Sequence, residues 1–151
     1  IRETLWKDME DARTQMAYGL SVCDILKISD NEIQWFSGKE DYTEGIHMLQ
    51  QTYQIPLILL SMGKDGSRAY YKDMLVEVPA FLQKNTIETT GAGDTFGACC
   101  LHHILKYGLD NLTKQQLKEM LTFANAAASI ITTRKGALRV MPSLEEIQRL
   151  L

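Results

Sequence analysis

The stretch Glu88-Thr-Thr-Gly-Ala-Gly-Asp94 joins a glycine-rich turn to a carboxylate where a long apolar helical pattern begins. A helix start presents backbone N–H groups without intrahelical partners and the positive end of the macrodipole, so it is a natural anion site. Gly91 and Gly93 carry no Cβ to hold a polyanion away from that backbone. Asp94 would repel phosphate if its only task were binding. It makes sense as a base that takes the proton from a hydroxyl attacking phosphorus. These residue types in this order point to phosphoryl transfer.

A plainer account uses the same residues. Thr90 would be an ordinary N-cap and Asp94 a first-turn acid complementing the dipole, worth about 0.3–1 kcal/mol. Two rival nucleotide motifs fit badly. A dinucleotide fingerprint needs a third glycine where Phe96 stands, and the next glycine is Gly97. A Walker A loop needs Ser or Thr after Gly63-Lys64, where Asp65 stands, and its first glycine position holds Ile58.

The elements that must position these residues follow from periodicity. Leu5, Met9, Ala12, Met16 and Leu20 recur at helical spacing and predict an amphipathic helix over 3–20. Asp24 to Ile28 reads as a buried strand, and Ser29 or Asp30 caps a brief helix that Ser37-Gly38 stops. A second helix is expected over about 40–53. Leu57 to Leu60 is apolar on both faces, as in the middle of a parallel sheet. Gly63 to Gly66 forms a turn, and strands 67–71 and 74–78 flank a hairpin turn at Lys72-Asp73. A helix over 91–107 carries Phe96, Cys100 and Ile104 on one stripe and ends at Gly108. Leu117, Leu121, Ala124, Ala128 and Ile131 mark another, and Pro142-Ser143 starts a last one running to Leu151. Strands alternating with helices predict an α/β layered sheet with ligands at the carboxyl ends of its strands.

Composition bounds the rest. The 151 residues, 45% of them hydrophobic, suit a globular domain with a real core. Sixteen basic and 19 acidic residues give a net charge of −3, which offers no electrostatic case for nucleic acid or membrane. No apolar run approaches the roughly 20 residues that span a bilayer, and no signal-peptide pattern opens the sequence. Cys23, Cys99 and Cys100 are odd in number and lack metal-ligand spacing, which favours reduced thiols and a cytoplasmic protein. His102 and His103 are helix neighbours that point apart, so a shared metal is not expected. Opening at Ile1, directly before a helix-like segment, is what a piece of a longer chain would show. No internal repeat or linker divides residues 1–151, which read as one domain or half of one.

Five segments, in order, resemble one family: Lys27-Ile-Ser-Asp-Asn-Glu32, Ser61-Met-Gly-Lys-Asp-Gly-Ser67, Thr89-Thr-Gly-Ala-Gly-Asp94, Ala124-Asn-Ala-Ala-Ala128 and Thr133-Arg-Lys-Gly-Ala137. On these anchors the chain resembles the carboxyl-terminal half of the ribokinase-like, PfkB-type carbohydrate kinases, over essentially its whole length. It looks most similar to the fructokinases.

The resemblance implies a ribokinase-like, Rossmann-type layered sheet with flanking helices, whose lid and most sugar contacts belong to an amino-terminal half. It also implies an ATP- and Mg²⁺-dependent sugar kinase. Asp94 would be the general base, and the backbone amides of Gly91, Ala92 and Gly93 the anion hole. Gly63 and Gly66 match the family's turn beside the ATP ribose and phosphates, and Asn125 a residue near the adenine. Read without the family, the first pair is an ordinary strand-to-strand turn and Asn125 one polar group on an alanine-rich helix.

Glu32 corresponds to an acid that helps hold Mg²⁺ through water, whereas by itself it reads as a solvated first-turn acid. Ser29 stands where the family has asparagine at its nucleotide site. Glu88 replaces an aspartate that, with the carbonyls matching Ile131, Arg134 and Gly136, forms a monovalent-cation site suited to K⁺. Cys99 falls where Gly or Ala is common, a packing variation. The opening Arg2-Glu-Thr-Leu-Trp-Lys7 and Asp24 to Lys27 resemble fructokinases, which makes fructose the expected sugar. A kinase for another sugar or a nucleoside, and a non-catalytic nucleotide-binding or regulatory protein, are the alternatives. A homodimer of the full-length protein is also implied.

Overall fold

The computed structural model describes residues 3–151. Arg2, which opens the fructokinase-like stretch, lies outside the described residues. Four strands, β1 (Ile25–Ser29), β2 (Leu57–Ser61), β3 (Ser67–Tyr71) and β4 (Met74–Val78), form one sheet in the order β1-β2-β3-β4. Six α-helices accompany them among the described residues: α1 (Met9–Val22), α2 (Asp30–Ser37), α3 (Tyr42–Tyr53), α4 (Ala92–Tyr107), α5 (Lys114–Ile131) and α6 (Leu144–Leu150). The α/β class expected from the alternation is what the chain adopts. β1 reaches β2 through two helices, a crossover that makes neighbouring strands parallel. β2, β3 and β4 follow one another through tight turns and pair antiparallel, so the sheet is mixed.

The chain divides into two compact units, one running through Leu60 with Tyr70–Asp73, the other Ser61–Ala69 with Met74–Leu151. In the first unit, Leu57, Ile58, Leu59 and Leu60 are all buried, which suits a strand covered on both faces. Ile28, Ile33, Ile46 and Leu49 complete that core. Each fully buried side chain of this kind contributes about 1.5–3 kcal/mol relative to exposure.

The first helix departs from expectation. Glu3–Leu5 is a short 3₁₀ turn, and α1 starts only at Met9. Asp8 is the reason: its backbone is extended and its carboxylate accepts from the Asp11 amide at 2.8 Å, an N-cap that ends continuity from the left. Leu5, the residue that extended the apparent stripe, is exposed. Asp41 likewise delays α3 to Tyr42 by capping the Glu44 amide at 2.9 Å.

In the second unit, Phe96, Cys100 and Ile104 of α4 are buried, as their spacing predicts. Leu117, Met120, Leu121 and Ala124 of α5 are buried too. Ala126 and Ala127, both fully buried, let Ile147 of α6 and the half-buried Cys99 approach closely. Burial pushes the Cys99 thiol up to about 11 and raises Cys100 further, so neither is a thiolate at neutral pH. Among the described residues no helix is long and apolar enough to cross a membrane.

Candidate active site

Helix starts decide where backbone amides remain open. Asp8, Ser29, Asp41, Thr113 and Ser143 cap α1, α2, α3, α5 and α6 with their own side chains. α4 starts on Gly91, which has no side chain to cap with. The plainer account of Thr90 as N-cap is therefore corrected: the chain turns one residue later. Gly91 sits at φ 78°, ψ −4°, where glycine is at ease and other residues are strained. A Cβ there would also lie 3.2 Å from the Ala137 Cβ and 3.3 Å from Ile131 Cδ1.

The first helical bond runs from the Thr95 amide to the Gly91 carbonyl at 2.8 Å. The Ala92 amide donates back to the Thr89 carbonyl at 3.1 Å, closing the turn itself. Gly93 and Asp94 are the next two helical positions, where amides have no intrahelical acceptor. Of the first three helical amides, those of Gly93 and Asp94 are thus left open, while that of Ala92 is engaged. The Asp94 side chain is exposed, in the first turn of α4.

Ala92 and Gly93 line a cavity of about 320 Å³ within the second unit. Gly63, Gly66 and Asn125 line the same cavity, so five residues singled out from sequence surround one space. Gly91 and Asp94 flank it in the chain without lining it. Gly63, at φ 53°, and Gly66, at φ 99°, shape the turn between β2 and β3, closed by the Met62 amide on the Gly66 carbonyl at 2.8 Å. A Cβ on Gly66 would come within 2.2 Å of the Val78 carbonyl oxygen, so this turn docks on the end of β4 only as glycine. Lys64 brings a cation to the rim.

Asn125 is buried, and its Nδ2 donates to the carbonyls of Val78 at 3.2 Å and Pro79 at 3.0 Å. Those bonds explain a polar group on an alanine-rich helix and fix the wall where the chain leaves β4. Sequence reasoning missed Gln83, whose Nε2 donates to Ser129 Oγ at 3.1 Å across the same cavity wall. Phe81, Leu82 and Ala128 supply apolar surface suited to a flat ring. No local signal marks these contacts, because they join positions more than 40 residues apart.

Glu88 and Gly136 are brought together: Glu88 Oε1 accepts from the Gly136 amide at 2.6 Å. The amides of Ile87 and Glu88 both donate to the Thr132 carbonyl, at 2.8 and 3.3 Å. The Ile131 carbonyl accepts from the Arg134 amide at 3.1 Å, ending α5 in a turn. The Arg134 guanidinium donates to the Val140 carbonyl at 3.0 Å and pairs with Glu146. The Ser143 amide and Arg134 together hold the Glu146 carboxyl below its ordinary range.

Ser29 and Glu32 belong to the first unit, where they form a capping box. Glu32 Oε2 accepts from the Ser29 amide at 2.9 Å, and Ser29 Oγ from the Glu32 amide at 3.3 Å. Burial raises the Glu32 carboxyl, but the Ser29 amide and hydroxyl, aided by Lys27, outweigh it and leave the net shift downward. Glu32 borders a mainly apolar cavity of about 300 Å³ lined by α1, β1 and α2, with Trp35 and Phe36 in its wall. Among the described residues, no three His, Cys, Asp or Glu side chains cluster as a metal site.

The chain matches the pfkB family carbohydrate kinases over residues 1–144. It is 33% identical to fructokinase-1 of Zea mays over 151 residues, all of this chain and 46% of that protein. It is 34% identical to the fructokinase of Klebsiella pneumoniae over 150 residues, 99% of this chain and 48% of that protein. The fructokinase of Vibrio cholerae O395, solved with fructose, ADP and calcium ion, superimposes with a TM-score of 0.89 at 25% identity. That likeness covers all of this chain and 48% of the other. The chain spans about half the length of the curated relatives it matches.

Proposed function

Because this chain belongs to the pfkB family of carbohydrate kinases, we propose that it carries the nucleotide-binding and phosphoryl-transfer part of an ATP-dependent sugar kinase, with fructose as the sugar. The observation that carries this reading is the uncapped start of α4 beside a cavity lined by Ala92, Gly93, Gly63, Gly66 and Asn125. Likeness to fructokinases at about one third identity supports the choice of sugar.

In this reading the γ-phosphoryl group rests against the first turn of α4. The amides there, with the helix dipole, stabilise charge on its equatorial oxygens as the bond to ADP breaks. Asp94 accepts the proton of the attacking sugar hydroxyl as the new O–P bond forms, giving sugar phosphate and ADP. Its exposed position keeps it accessible to a sugar arriving from solvent. Gly63 and Gly66 let the β2–β3 turn approach the nucleotide's ribose and phosphates. Asn125 holds the wall beside the base.

Mg²⁺ would neutralise phosphate charge when bound, and the family resemblance assigns the water shell of that ion to Glu32, whose capping box lowers its carboxyl. The donors for a monovalent cation, Glu88 and the carbonyls of Ile131, Arg134 and Gly136, are partly spent. Glu88 Oε1 takes the Gly136 amide and the Ile131 carbonyl takes that of Arg134. We therefore give K⁺ no step.

The test is sugar-dependent ADP formation by the natural full-length protein across fructose, glucose, ribose and a nucleoside. Fructose should give the highest kcat/KM. ATP binding without turnover on any acceptor would replace this reading with a regulatory nucleotide-binding protein, and preference for another acceptor would replace the sugar.

A further inference from the structure

We infer that Glu88 is a positioning residue of the phosphoryl-transfer turn: through the Gly136 amide, its carboxylate holds residues 132–137 against the Gly91 turn. This rests on the preceding reading that the α4 start grips phosphate.

Two chain segments meet around Gly91. One is the approach to α4, residues 87–91; the other is the chain leaving α5, residues 132–137. The Ile87 and Glu88 amides on the Thr132 carbonyl fasten one end of this contact. The other end is Ala137, whose Cβ lies 3.2 Å from where a Cβ on Gly91 would stand. Between these ends, the Glu88–Gly136 bond is the polar link across the two segments. It is short, 2.6 Å, half-buried, and joins positions 48 apart in sequence.

A carboxylate accepting a backbone N–H makes one of the stronger hydrogen bonds available to a protein. Gly136 sits at φ 123°, a conformation open in practice to glycine alone, and its amide is the one that donates to Glu88. Removing the acceptor leaves that amide without its partner and frees Ala137 to move from beneath Gly91. The Gly93 and Asp94 amides are two and three residues further on, within the first turn of α4, and a misplacement of about 1 Å can cost about 10²-fold in rate. The side-chain length matters, because the reach from backbone position 88 to the Gly136 amide is made by glutamate. A carbonyl oxygen at the same reach would serve, so the amide side chain of glutamine is a conservative substitute.

The experiment uses the natural full-length protein with Glu88→Gln and Glu88→Ala. It combines steady-state kinetics with hydrogen exchange at the Gly136 amide. Glu88→Gln should keep kcat within about threefold and retain protection of that amide. Glu88→Ala should lose protection and about tenfold or more in kcat at saturating ATP, with the sugar KM within about threefold. Unchanged kcat in Glu88→Ala would overturn the inference. So would a Glu88→Gln enzyme that loses about tenfold or more in kcat while Gly136 stays protected, since the negative charge itself would then matter. If Glu88→Ala does not fold, the Glu88→Gln result decides alone. A wild-type protein that makes no ADP with any acceptor would overturn the parent reading instead, and Gly136 exchange would still test the clamp.

Discussion

α2 and α4 both begin inside a segment that matches a kinase motif, yet they begin in opposite ways. Ser29 and Glu32 close the start of α2 by bonding each other's amides, so the helix satisfies itself. Gly91 leaves the start of α4 without a side-chain cap, and the glycine turn ends beside a cavity. A capped start contributes stability; an uncapped one forgoes about 1 kcal/mol and keeps its donors for a ligand. The difference teaches which motif residues serve the helix they precede and which serve something outside it.

Four substitutions break or sharpen that contrast. The largest effect belongs to Asp94→Asn, which should lower kcat about 10²–10⁴-fold while leaving ATP affinity nearly unchanged. Steady-state kinetics with the full-length protein measures it, and near wild-type turnover would remove Asp94 as base. Next comes Gly66→Ala. Its Cβ would fall 2.2 Å from the Val78 carbonyl oxygen, so the turn must lift from β4. The expected cost is about 1–3 kcal/mol in chemical unfolding, with weaker ATP binding as the cavity wall shifts.

Gly91→Ala should follow, costing about 1–2 kcal/mol for the positive φ alone. Calorimetric titration should show the ATP affinity about tenfold lower, because the start of α4 turns to relieve the strain. The smallest effect is expected at the closed helix. Ser29→Ala should cost about 1 kcal/mol of stability and leave the Gly93 amide untouched by NMR.

Acid titration sharpens the same comparison. The Glu32 carboxyl is depressed in the folded chain, so its contribution to stability is present above its unfolded value. That contribution fades as pH falls through the folded one. Ser29→Ala removes the hydroxyl but keeps the amide that lowers Glu32 most, so it should reduce this acid-side dependence only in part, read as melting temperature against pH.

Local chemistry was legible in the sequence where neighbours decide the outcome. The Lys72-Asp73 turn bounds β3 and β4 where expected, and Gly108 stops α4. Ser143 starts α6 through a capping box with Glu146. The stripe of Phe96, Cys100 and Ile104 faces a core. α1 was overextended because Leu5 fits helical spacing, while Asp8, whose side chain bonds the Asp11 amide, carries no hydrophobic signal.

For the candidate site, the motifs brought Gly63, Gly66, Ala92, Gly93 and Asn125 to one cavity. What they did not reveal is how it is held. Asn125 on Val78, Gln83 on Ser129 and Glu88 on Gly136 are bonds between positions 46–48 apart. Such partners are chosen by the tertiary fold, and no periodicity or spacing encodes them.

The most direct test follows the backbone amides of the perdeuterated full-length protein while Mg²⁺-free ATP is titrated in. The Gly93 and Asp94 resonances should move saturably, with a common dissociation constant matching calorimetry, while Asn31 and Glu32 at the capped start of α2 move little. ATP that binds with Gly93 and Asp94 unmoved would contradict the phosphate grip at α4.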